Sequence, residues 1–456
     1  MRALTGPTRV RPYLTDLEHM MTVPTITTAG VETPAGTHST HGVLAVVAPY
    51  GTGKHYLSEI VARGWDCIAV RPSDALLPPM YRGALDPDGY RQVVVHNGDM
   101  QATSAALRKA GVTAIVAGTE IGVPIAEILA HRLGLPGNDP QTSHLRRDKG
   151  AMAAALHDAG LEAPRSLSTD NLGNALAWAS MQSGAEFVLK PADSGGSDGV
   201  AFVSSPEQLQ AAWHQLHQVP NALGGTNEFL ILQERLRGTQ YVVNSVSSPA
   251  PGSGITRHAF TEIWADHRTT GHLYDRLVML QPSKLIPRML AQYTAKVLDV
   301  LGISYGPAHT EVMYVPRRGP VLIETGARPE GSYDPIAMRE ATGSDHVRDA
   351  VDTVIQGRPG LYAHGRRPRR SITKVSLIAP HDGTLDPTVL ETLLALPTVK
   401  GHVGALRPGA RVTRTVDLLT SPGRLTLVAD TDAAIDADCE AIRDLEADGL
   451  YVKAAK

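Results

Sequence analysis

The chain has 456 residues, enough for two to four domains, and its 42% hydrophobic and 20% charged residues are ordinary for a globular protein. A net charge of −3 and the lack of a long apolar run argue against a nucleic-acid or membrane partner. Two distant cysteines, Cys67 and Cys439, argue against a disulfide framework or a zinc site and suit a cytoplasmic protein.

The first feature along the chain is a Thr-, Pro- and Gly-rich stretch, residues 1–41, which predicts a loosely ordered leader without a secretion signal. The stretch A-P-Y-G-T-G-K-H-Y at 48–56 then raises the question of a phosphate-binding loop. That loop requires G-x-x-x-x-G-K-[ST], but Ala48 stands at the first glycine position and His55 at the hydroxyl position. We therefore predict a strand-to-helix turn, with no phosphate role for Lys54.

Between residues 42 and 140, short apolar strands alternate with helical patterns, which predicts a parallel sheet in a Rossmann-like layer. The expected strands are Val43–Ala48, Cys67–Arg71, Gln92–His96 and Ala114–Ala117. The expected helices are His55–Arg63, Gln101–Ala110 and Ile121–Leu133, followed by one at Ser143–Ala159.

The middle of the chain mixes strands and helices, which predicts an α+β region with antiparallel sheets. The expected strands are Glu186–Lys190, Gly199–Val203, Glu228–Glu234, Gln240–Val246, Ile255–Trp264, His309–Val315 and Val321–Thr325. The expected helices are Asn171–Gln182, Pro206–His217 and Lys284–Leu301. The polar stretch 267–276 fits a substrate-facing loop, which would bring Arg276 to a substrate, and it fits a solvent loop equally well.

The Pro-, Gly- and Arg-rich stretch 358–370 predicts a solvated linker rather than an RNA site, because no aromatic residues are interleaved for base stacking. Beyond it we expect a small, separate β-rich domain. The predicted organisation is therefore a leader at 1–41, an N-terminal α/β domain at 42–140, a central domain at 141–360 and a C-terminal α+β domain at 366–456.

Two glycine-containing motifs in the middle region suit a nucleotide. In F-V-L-K-P-A-D-S-G-G-S-D-G-V, a strand delivers Lys190 to a loop whose glycines let backbone amides approach an anion, although a plain hairpin fits too. In F-L-I-L-Q-E-R-L-R-G-T-Q-Y-V-V-N, an apolar strand ends at Gln233 and Glu234 and resumes after Gly238. This hairpin offers backbone groups to an adenine ring, but any exposed hairpin has a similar sequence.

Two carboxylates in apolar strands form the third feature. Glu311 and Glu324 are costly to bury unless a positive group pairs with them, and a hairpin would bring them together on one face. Two such oxygen ligands beside phosphates are a familiar magnesium arrangement, whereas the alternative is a pair of surface glutamates. Arg328 follows closely and is suited to hold a transferred phosphoryl group.

These features, in this order, resemble the ATP-grasp superfamily of carboxylate–amine ligases over roughly residues 140–360. The motifs are R-R-D-K-G-A-M, K-P-x-x-S-G-G-S-x-G-V, Q-E-x-x-x-G, H-T-E and E-T-G-A-R. The last motif and L-G-L-P-G-N-D-P-Q-T-S-H-L-R-R-D-K resemble the bacterial L-amino acid ligases of the bacilysin synthetase type, which join free amino acids into dipeptides. The implied fold, α/β and α+β, is an N-terminal Rossmann-like layer, a central ATP-grasp domain with a lid at about 165–235 and a small C-terminal β-rich domain.

The resemblance implies ATP, one or two Mg²⁺ ions that Mn²⁺ can replace, and small amino acid substrates, and it allows a homodimer. The implied ATP contacts are Lys149, Lys190, Ser194, Gly195, Gly196, Ser197, Gly199, Gln233, Glu234, Leu236 and Gln240. The implied metal ligands are Glu311 and Glu324, and the implied catalytic residue is Arg328. The candidate substrate contacts are His309, Arg328, Glu330, Gly331, Ser332 and Arg276.

Two positions depart from the family pattern. Gln240 stands where many members have an acid for the ribose, and Gly326 stands where many have an asparagine metal ligand. Three functions stay open at this point: a dipeptide-forming ligase, a ligase that joins an amino acid to a different biosynthetic intermediate, and an ATP-binding module without catalysis, which Gly326 motivates.

Overall fold

The computed structural model describes residues 42–182, 184, 186–250, 252–360 and 363–453. The expected leader at 1–41 lies outside the described residues. Within the described part of the chain, no helix is long and apolar enough to cross a membrane.

The N-terminal layer is a parallel sheet with strand order β3-β2-β1-β4. Its strands are β1 (Val43–Val47), β2 (Asp66–Pro72), β3 (Gln92–His96) and β4 (Ala114–Ala117). Its helices are α1 (Tyr56–Val61), α2 (Met100–Lys109) and α3 (Val123–Leu133), with 3-10 turns at Gly51–His55, Pro79–Tyr81 and Glu120–Gly122. The Rossmann-like prediction is confirmed, because β1 is apolar and buried along its whole length, as a central parallel strand must be.

The next segment carries a four-stranded antiparallel sheet with strand order β5-β8-β6-β7, called here the small sheet. Its strands are β5 (Ser166–Thr169), β6 (Phe187–Pro191), β7 (Ala201–Val203) and β8 (Leu230–Glu234). Before it come a 3-10 turn at Pro140–Arg146 and α4 (Lys149–Asp158), and its own helices are α5 (Leu172–Ser180) and α6 (Pro206–Leu216). The helices cover one face of the small sheet and bury Leu189, Leu230 and Trp213.

The largest sheet has eight strands in the order β13-β12-β9-β10-β11-β14-β18-β16, and it is called here the central sheet. Its first five strands in the chain are β9 (Thr239–Pro249), β10 (Thr256–Arg268), β11 (Tyr274–Met279), β12 (Gly306–Val315) and β13 (Gly319–Gly326). The neighbouring helices are α7 (Leu285–Val300), α8 (Pro335–Thr342) and α9 (His346–Gln356). Strands β10 and β11 extend into the stretch predicted as a loop, so only residues 269–273 connect them.

The C-terminal region contains further strands and two helices. The strands are β14 (Ser371–Ser376), β15 (Gly383–Leu385), β16 (Val399–Gly404), β17 (Arg411–Val412), β18 (Gly423–Ala429) and β19 (Tyr451–Lys453). The helices are α10 (Pro387–Leu394) and α11 (Asp432–Leu445).

The expectation of a separate C-terminal domain needs correction, because three of these strands belong to the central sheet. Strand β14 pairs with β11 through Leu277 and Lys374, among others. Side chains of both regions also share one buried cluster, in which Ile372 and Val428 lie with Trp264. The apolar face of the central sheet is therefore completed by residues that follow the linker.

Candidate functional site

The two glutamates singled out from the sequence lie directly opposite each other on the hairpin formed by β12 and β13. Glu311 faces Glu324 across the register, so both carboxylates point to the same side of the sheet. Both line a cleft of about 850 Å³ between the small sheet and the central sheet. The convergence expected from the sequence is thus present in the structure.

Each carboxylate has polar partners. Gln240 Nε2 donates a 2.8 Å hydrogen bond to Glu311, and the Glu324 carboxylate lies 2.9 Å from Lys149 Nζ. Burial alone would raise the pKa of Glu311, but His309, Arg268 and Arg328 outweigh it and lower that pKa to about 2. Glu311 therefore stays ionised at neutral pH, as a metal ligand must.

Two lysines approach the same cleft from different elements. Lys149 is the first residue of α4, whose N-terminus is capped by Asp148, and its Nζ donates a 2.6 Å bond to the Ser194 carbonyl. Lys190 lies on β6 with 5% of its surface exposed. Burial, together with the nearby charge of Lys149, lowers the pKa of Lys190 to about 8. The cleft therefore gathers cations that suit an anionic ligand.

The glycine-rich loop, residues 194–199, connects β6 to β7 beside these lysines. Ser194, Gly195 and Ser197 line the cleft, and Gly196 and Gly199 supply left-handed backbone at φ +71° and +69°. The Ser197 hydroxyl lies 3.0 Å from the Tyr274 hydroxyl on β11. This contact ties the loop of the small sheet to the central sheet.

The hinge predicted to hold adenine forms one wall of the cleft, with Gln233, Glu234 and Leu236 among its lining residues. The Glu234 carboxylate is paired with Arg318, at 2.8 Å, and with Arg165. At this residue, the backbone is therefore what is available to a ligand in the cleft. Apolar side chains complete the wall, and they include Val188, Phe202, Met313 and Ile323. An apolar wall with backbone groups at its edge suits an aromatic base.

Arg328 lies at the end of this constellation and is held by a residue that sequence analysis missed. Its Nε donates a 2.7 Å bond to Glu120, which follows directly after β4. A side chain at Gly326 would collide with this carboxylate, because a Cβ there would lie 2.8 Å from Glu120 Oε2. The glycine that departs from the family pattern therefore makes room for Glu120. The one available signal was the position of Glu120 at the carboxyl end of a parallel strand.

Comparison with known proteins finds relatives that are named as a synthase and as ligases. A dapdiamide A synthase from Enterobacter agglomerans is 27% identical over 420 residues, which are 90% of this chain and 97% of that protein. An alanine–anticapsin ligase from Bacillus subtilis is 25% identical over 260 residues, which are 54% of this chain and 55% of that ligase. No protein-family model matches the chain.

Among solved structures, an L-amino acid ligase from Bacillus licheniformis matches with a TM-score of 0.69 at 18% identity, over 88% of this chain and 97% of that one. The chain is an ATP-grasp carbon–nitrogen ligase. The biotin carboxylase domain dimer of Hydrogenobacter thermophilus 2-oxoglutarate carboxylase, solved with MgADP, has the same fold, with a TM-score of 0.62 at 15% identity over 86% of this chain and 88% of that one. The ATP-grasp fold and the resemblance to L-amino acid ligases drawn from the motifs are confirmed.

Not every predicted residue reaches the cleft of the ligase. Arg276 points to the C-terminal helix α11, where its Nη1 lies 3.2 Å from Asp436, so the structure does not bring it to a substrate. The physical reason is that β11 runs beside α11, where the carboxylates of Asp275 and Asp436 attract the Arg276 guanidinium. Lys54 is exposed and is not among the residues that line this cleft.

The remaining candidates lie around Arg328. Gly331 and Ser332 are exposed, and a Cβ at Gly331 would meet open space. His309 and Glu330 are buried in a polar network described below. Sequence analysis also missed Arg268, which lines the cleft, is held by Asp266 at 2.7 Å and stacks 3.3 Å above the Tyr274 ring. It lies at the start of the polar stretch that suited a substrate loop.

Proposed function

We propose that the ligase forms an amide bond between the carboxylate of one amino acid and the amino group of a second amino acid. The reaction passes through an acyl phosphate and releases ADP and phosphate. One observation carries the proposal: Glu311 and Glu324 lie face to face in a cleft that also holds Lys149, Lys190 and the glycine-rich loop. The similarity to a dapdiamide A synthase and to an alanine–anticapsin ligase supports the same chemistry.

The cleft suits ATP in its character. An apolar wall, two lysines and a glycine-rich loop line one space. We propose that the hinge holds adenine and that the lysines and the glycine-rich loop hold the phosphates. Their cations and backbone amides are the groups that bind phosphate elsewhere in proteins.

A magnesium ion also fits the donor set. Two ionised carboxylates on facing positions offer the hard oxygen ligands that Mg²⁺ and Mn²⁺ prefer, and we propose Glu311 and Glu324 as those ligands. In the structure Lys149 neutralises Glu324, and it also lies where a phosphate would pair with it. Bound Mg²⁺ would neutralise phosphate charge beside these ligands.

The residues of the chain mainly position groups and stabilise charge. A donor carboxylate oxygen attacks the terminal phosphorus of ATP and breaks its bond to ADP, and the amine then attacks the acyl carbon and expels phosphate. We propose that Arg328, held by Glu120, stabilises the charge that develops on the transferred phosphoryl group. Glu120 acts here by fixing the guanidinium.

A second candidate is a ligase that joins an amino acid to a different kind of amine or carboxylate. It is favoured by the name of the alanine–anticapsin ligase, whose second substrate is not a standard amino acid. The non-catalytic module, which Gly326 motivated, is disfavoured by the relatives, which are named as a synthase and as a ligase.

The experiment is a screen of amino acid pairs with ATP and Mg²⁺, in which phosphate, ADP and dipeptide are quantified together. We expect equal amounts of all three, and only when both substrates are present. With an ¹⁸O-labelled donor carboxylate, one labelled oxygen should appear in the phosphate. Unlabelled phosphate would contradict the acyl phosphate, and product only with other amines would favour the second candidate.

Two further proposals concern the location and the assembly of the enzyme. The buried, unpaired state of Cys67 and Cys439 suits the cytoplasm. A homodimer is proposed from the dimeric state named for one solved neighbour. Light scattering on the purified protein would test the assembly.

A further inference from the structure

A buried polar network lies behind the cleft and joins the C-terminal strands to the proposed metal ligands. Its centre is Glu330, 3% exposed, whose carboxylate lies 2.7 Å from Lys374 Nζ on β14 and 3.7 Å from Arg424 on β18. Lys374 is 1% exposed and lies over the Trp264 ring at 4.1 Å. These groups are inaccessible to solvent, so the ion pair is a true interior pair.

The network continues from Glu330 to the cleft through one amide. Asn244 Nδ2 donates to Glu330 at 2.7 Å, and Asn244 Oδ1 accepts from His309 Nδ1 at 2.9 Å. His309 Nε2 lies 3.8 Å from the Glu311 carboxylate. A path of polar contacts thus runs from Lys374, in the C-terminal region, to His309, whose ring lies beside the Glu311 carboxylate.

The second end of the network is the segment that carries Arg328. Glu330 follows Arg328 by two residues, and Arg328 Nη1 donates to the intervening Pro329 carbonyl at 2.9 Å. Fixing the Glu330 carboxylate therefore fixes the short segment from which Arg328 projects. The buried Glu330 carboxylate is therefore connected both to Glu311, the proposed metal ligand, and to Arg328, the proposed catalytic residue.

Stability alone is a weak reason for such a network. A buried ion pair loses about as much in desolvation as it gains in attraction, and apolar replacements are often no less stable. Burial alone would raise the pKa of Glu330, but Lys374, His309 and Arg424 lower it to about 2, so the carboxylate remains ionised. What an interior charge pair does supply is a fixed geometry.

We propose that Lys374 and Glu330 are positioning residues, which orient Glu311 through Asn244 and His309 and orient Arg328 through the segment 328–330. The C-terminal region thereby takes part in metal binding without touching the metal or a substrate. The inference rests on the proposed metal role of Glu311, and the experiment separates the two.

The test measures ADP binding by calorimetry with and without Mg²⁺, and the ratio of the two Kd values is called here the metal gain. The main variant combines Lys374→Met with Glu330→Gln, so that both charges of the closest buried pair are removed together. We expect the metal gain to fall about tenfold or more, as for other groups that orient metal ligands, while metal-free ADP binding stays unchanged. Lys374→Arg should retain most of the gain.

The matched control is Arg443→Met, which removes a cation that ties the same C-terminal region to Asp275 at 2.6 Å but lies outside the network. It should keep the full metal gain. Thermal unfolding checks the fold of each variant. If the paired variant does not fold, Asn244→Ser, which breaks the path and keeps the ion pair, provides the same comparison.

A folded paired variant, or a folded Asn244→Ser variant, with wild-type metal gain would overturn the proposal. Glu311→Gln distinguishes the proposals. If it loses the gain while the network variants keep it, only the positioning role fails. If Glu311→Gln itself keeps the gain, the metal role of Glu311 is wrong, and the positioning role falls with it.

Discussion

At the scale of single residues, the cleft is defined by charges that are held by other charges before any ligand binds. Lys149 pairs with Glu324, and Arg328 pairs with Glu120. Each of these two cations therefore already has a carboxylate partner, which it has to share or exchange on binding. Lys190 is different, because in the described part of the chain no carboxylate lies within hydrogen-bond reach of it, and its pKa is lowered to about 8.

This difference predicts a pH dependence of ATP binding. Below pH 8 Lys190 is charged and ready to pair with phosphate, and above pH 8 it must first take up a proton. ATP affinity should therefore fall as the pH rises above 8, by up to about tenfold per pH unit. Calorimetry between pH 7 and 9.5 measures this, and Lys190→Arg, which stays charged, should flatten the profile. Lys54→Ala is the control and should follow the wild type; a flat wild-type profile would contradict the assignment.

A second prediction at this scale concerns Glu324, whose side chain is 23% exposed and is not needed to fill the core. Glu324→Ala should abolish ligation and leave the melting temperature near that of wild type, because a metal ligand is lost but little packing. Amide product at saturating Mg²⁺ measures this. Near wild-type turnover would show that the metal assignment is wrong.

Arg328 permits a sharper separation of binding from chemistry. Arg328→Met keeps the length of the side chain but removes its charge, which we expect to matter most in the transition state. The rate of a single turnover should fall about 100-fold or more, while the Kd of ATP changes little. Rapid-quench measurements compare the two. Equal losses in the rate and in ATP affinity would mean that Arg328 is a binding residue.

At the scale of elements, the glycine-rich loop is held to the central sheet by one hydroxyl pair, between Ser197 and Tyr274, at 3.0 Å. Burial raises the pKa of Tyr274 to about 12, so its hydroxyl stays protonated at neutral pH and can take part in this bond. Tyr274→Phe keeps the ring beneath Arg268 and removes only the hydroxyl. The loop should then close less often over a nucleotide.

The expected result is a KM for ATP that rises about two- to tenfold, which is the worth of one hydrogen bond. Steady-state kinetics at saturating amino acids measure it. Ser204→Ala is the matched control, since its hydroxyl bonds to Gln208 on the outer side of the small sheet. If the KM for ATP rises equally in Tyr274→Phe and Ser204→Ala, the effect comes from the small sheet as a whole, and the specific role of the Ser197–Tyr274 contact is wrong.

The elements also show which parts of the site were predictable. Lys190, Glu311 and Glu324 could be found because each stands in a local pattern, a strand next to a glycine loop or a strand hairpin, whose geometry the sequence determines. Glu120 and Lys374 could not, because each reaches its partner from a distant segment. Glu120 is 208 residues from Arg328, and no local periodicity records such a contact.

At the scale of the whole molecule, the same limit explains the corrected domain boundary. Strand β14 has the sequence of a typical short strand. Its pairing with β11 is accompanied by packing of Ile372 and Val428 against Trp264, which is more than 100 residues earlier in the chain. The linker at 358–370 resembles a domain boundary because it is rich in Pro, Gly and Arg. The central sheet nevertheless continues across it.

Because the central sheet continues beyond the linker, cleaving the linker and deleting the residues that follow it should have different effects. Deleting residues 371–456 would expose the edge of β11, uncover the apolar side chains around Trp264 and leave Glu330 without Lys374. Exposed strand edges and large apolar patches both promote aggregation. The truncated chain should therefore be insoluble or unfolded by circular dichroism, and it should not bind ADP.

A nick is the matched control, because it breaks the same connection and removes nothing. A protease site inserted after the exposed Gly360 and then cleaved should leave both fragments associated, since the strand pairing and the Glu330–Lys374 pair persist. The nicked protein should elute as one species and bind ADP as the intact chain does. If the truncated chain instead folds and binds ADP, the C-terminal region is the separate domain that its linker suggests, and the network behind the cleft does not hold the site together.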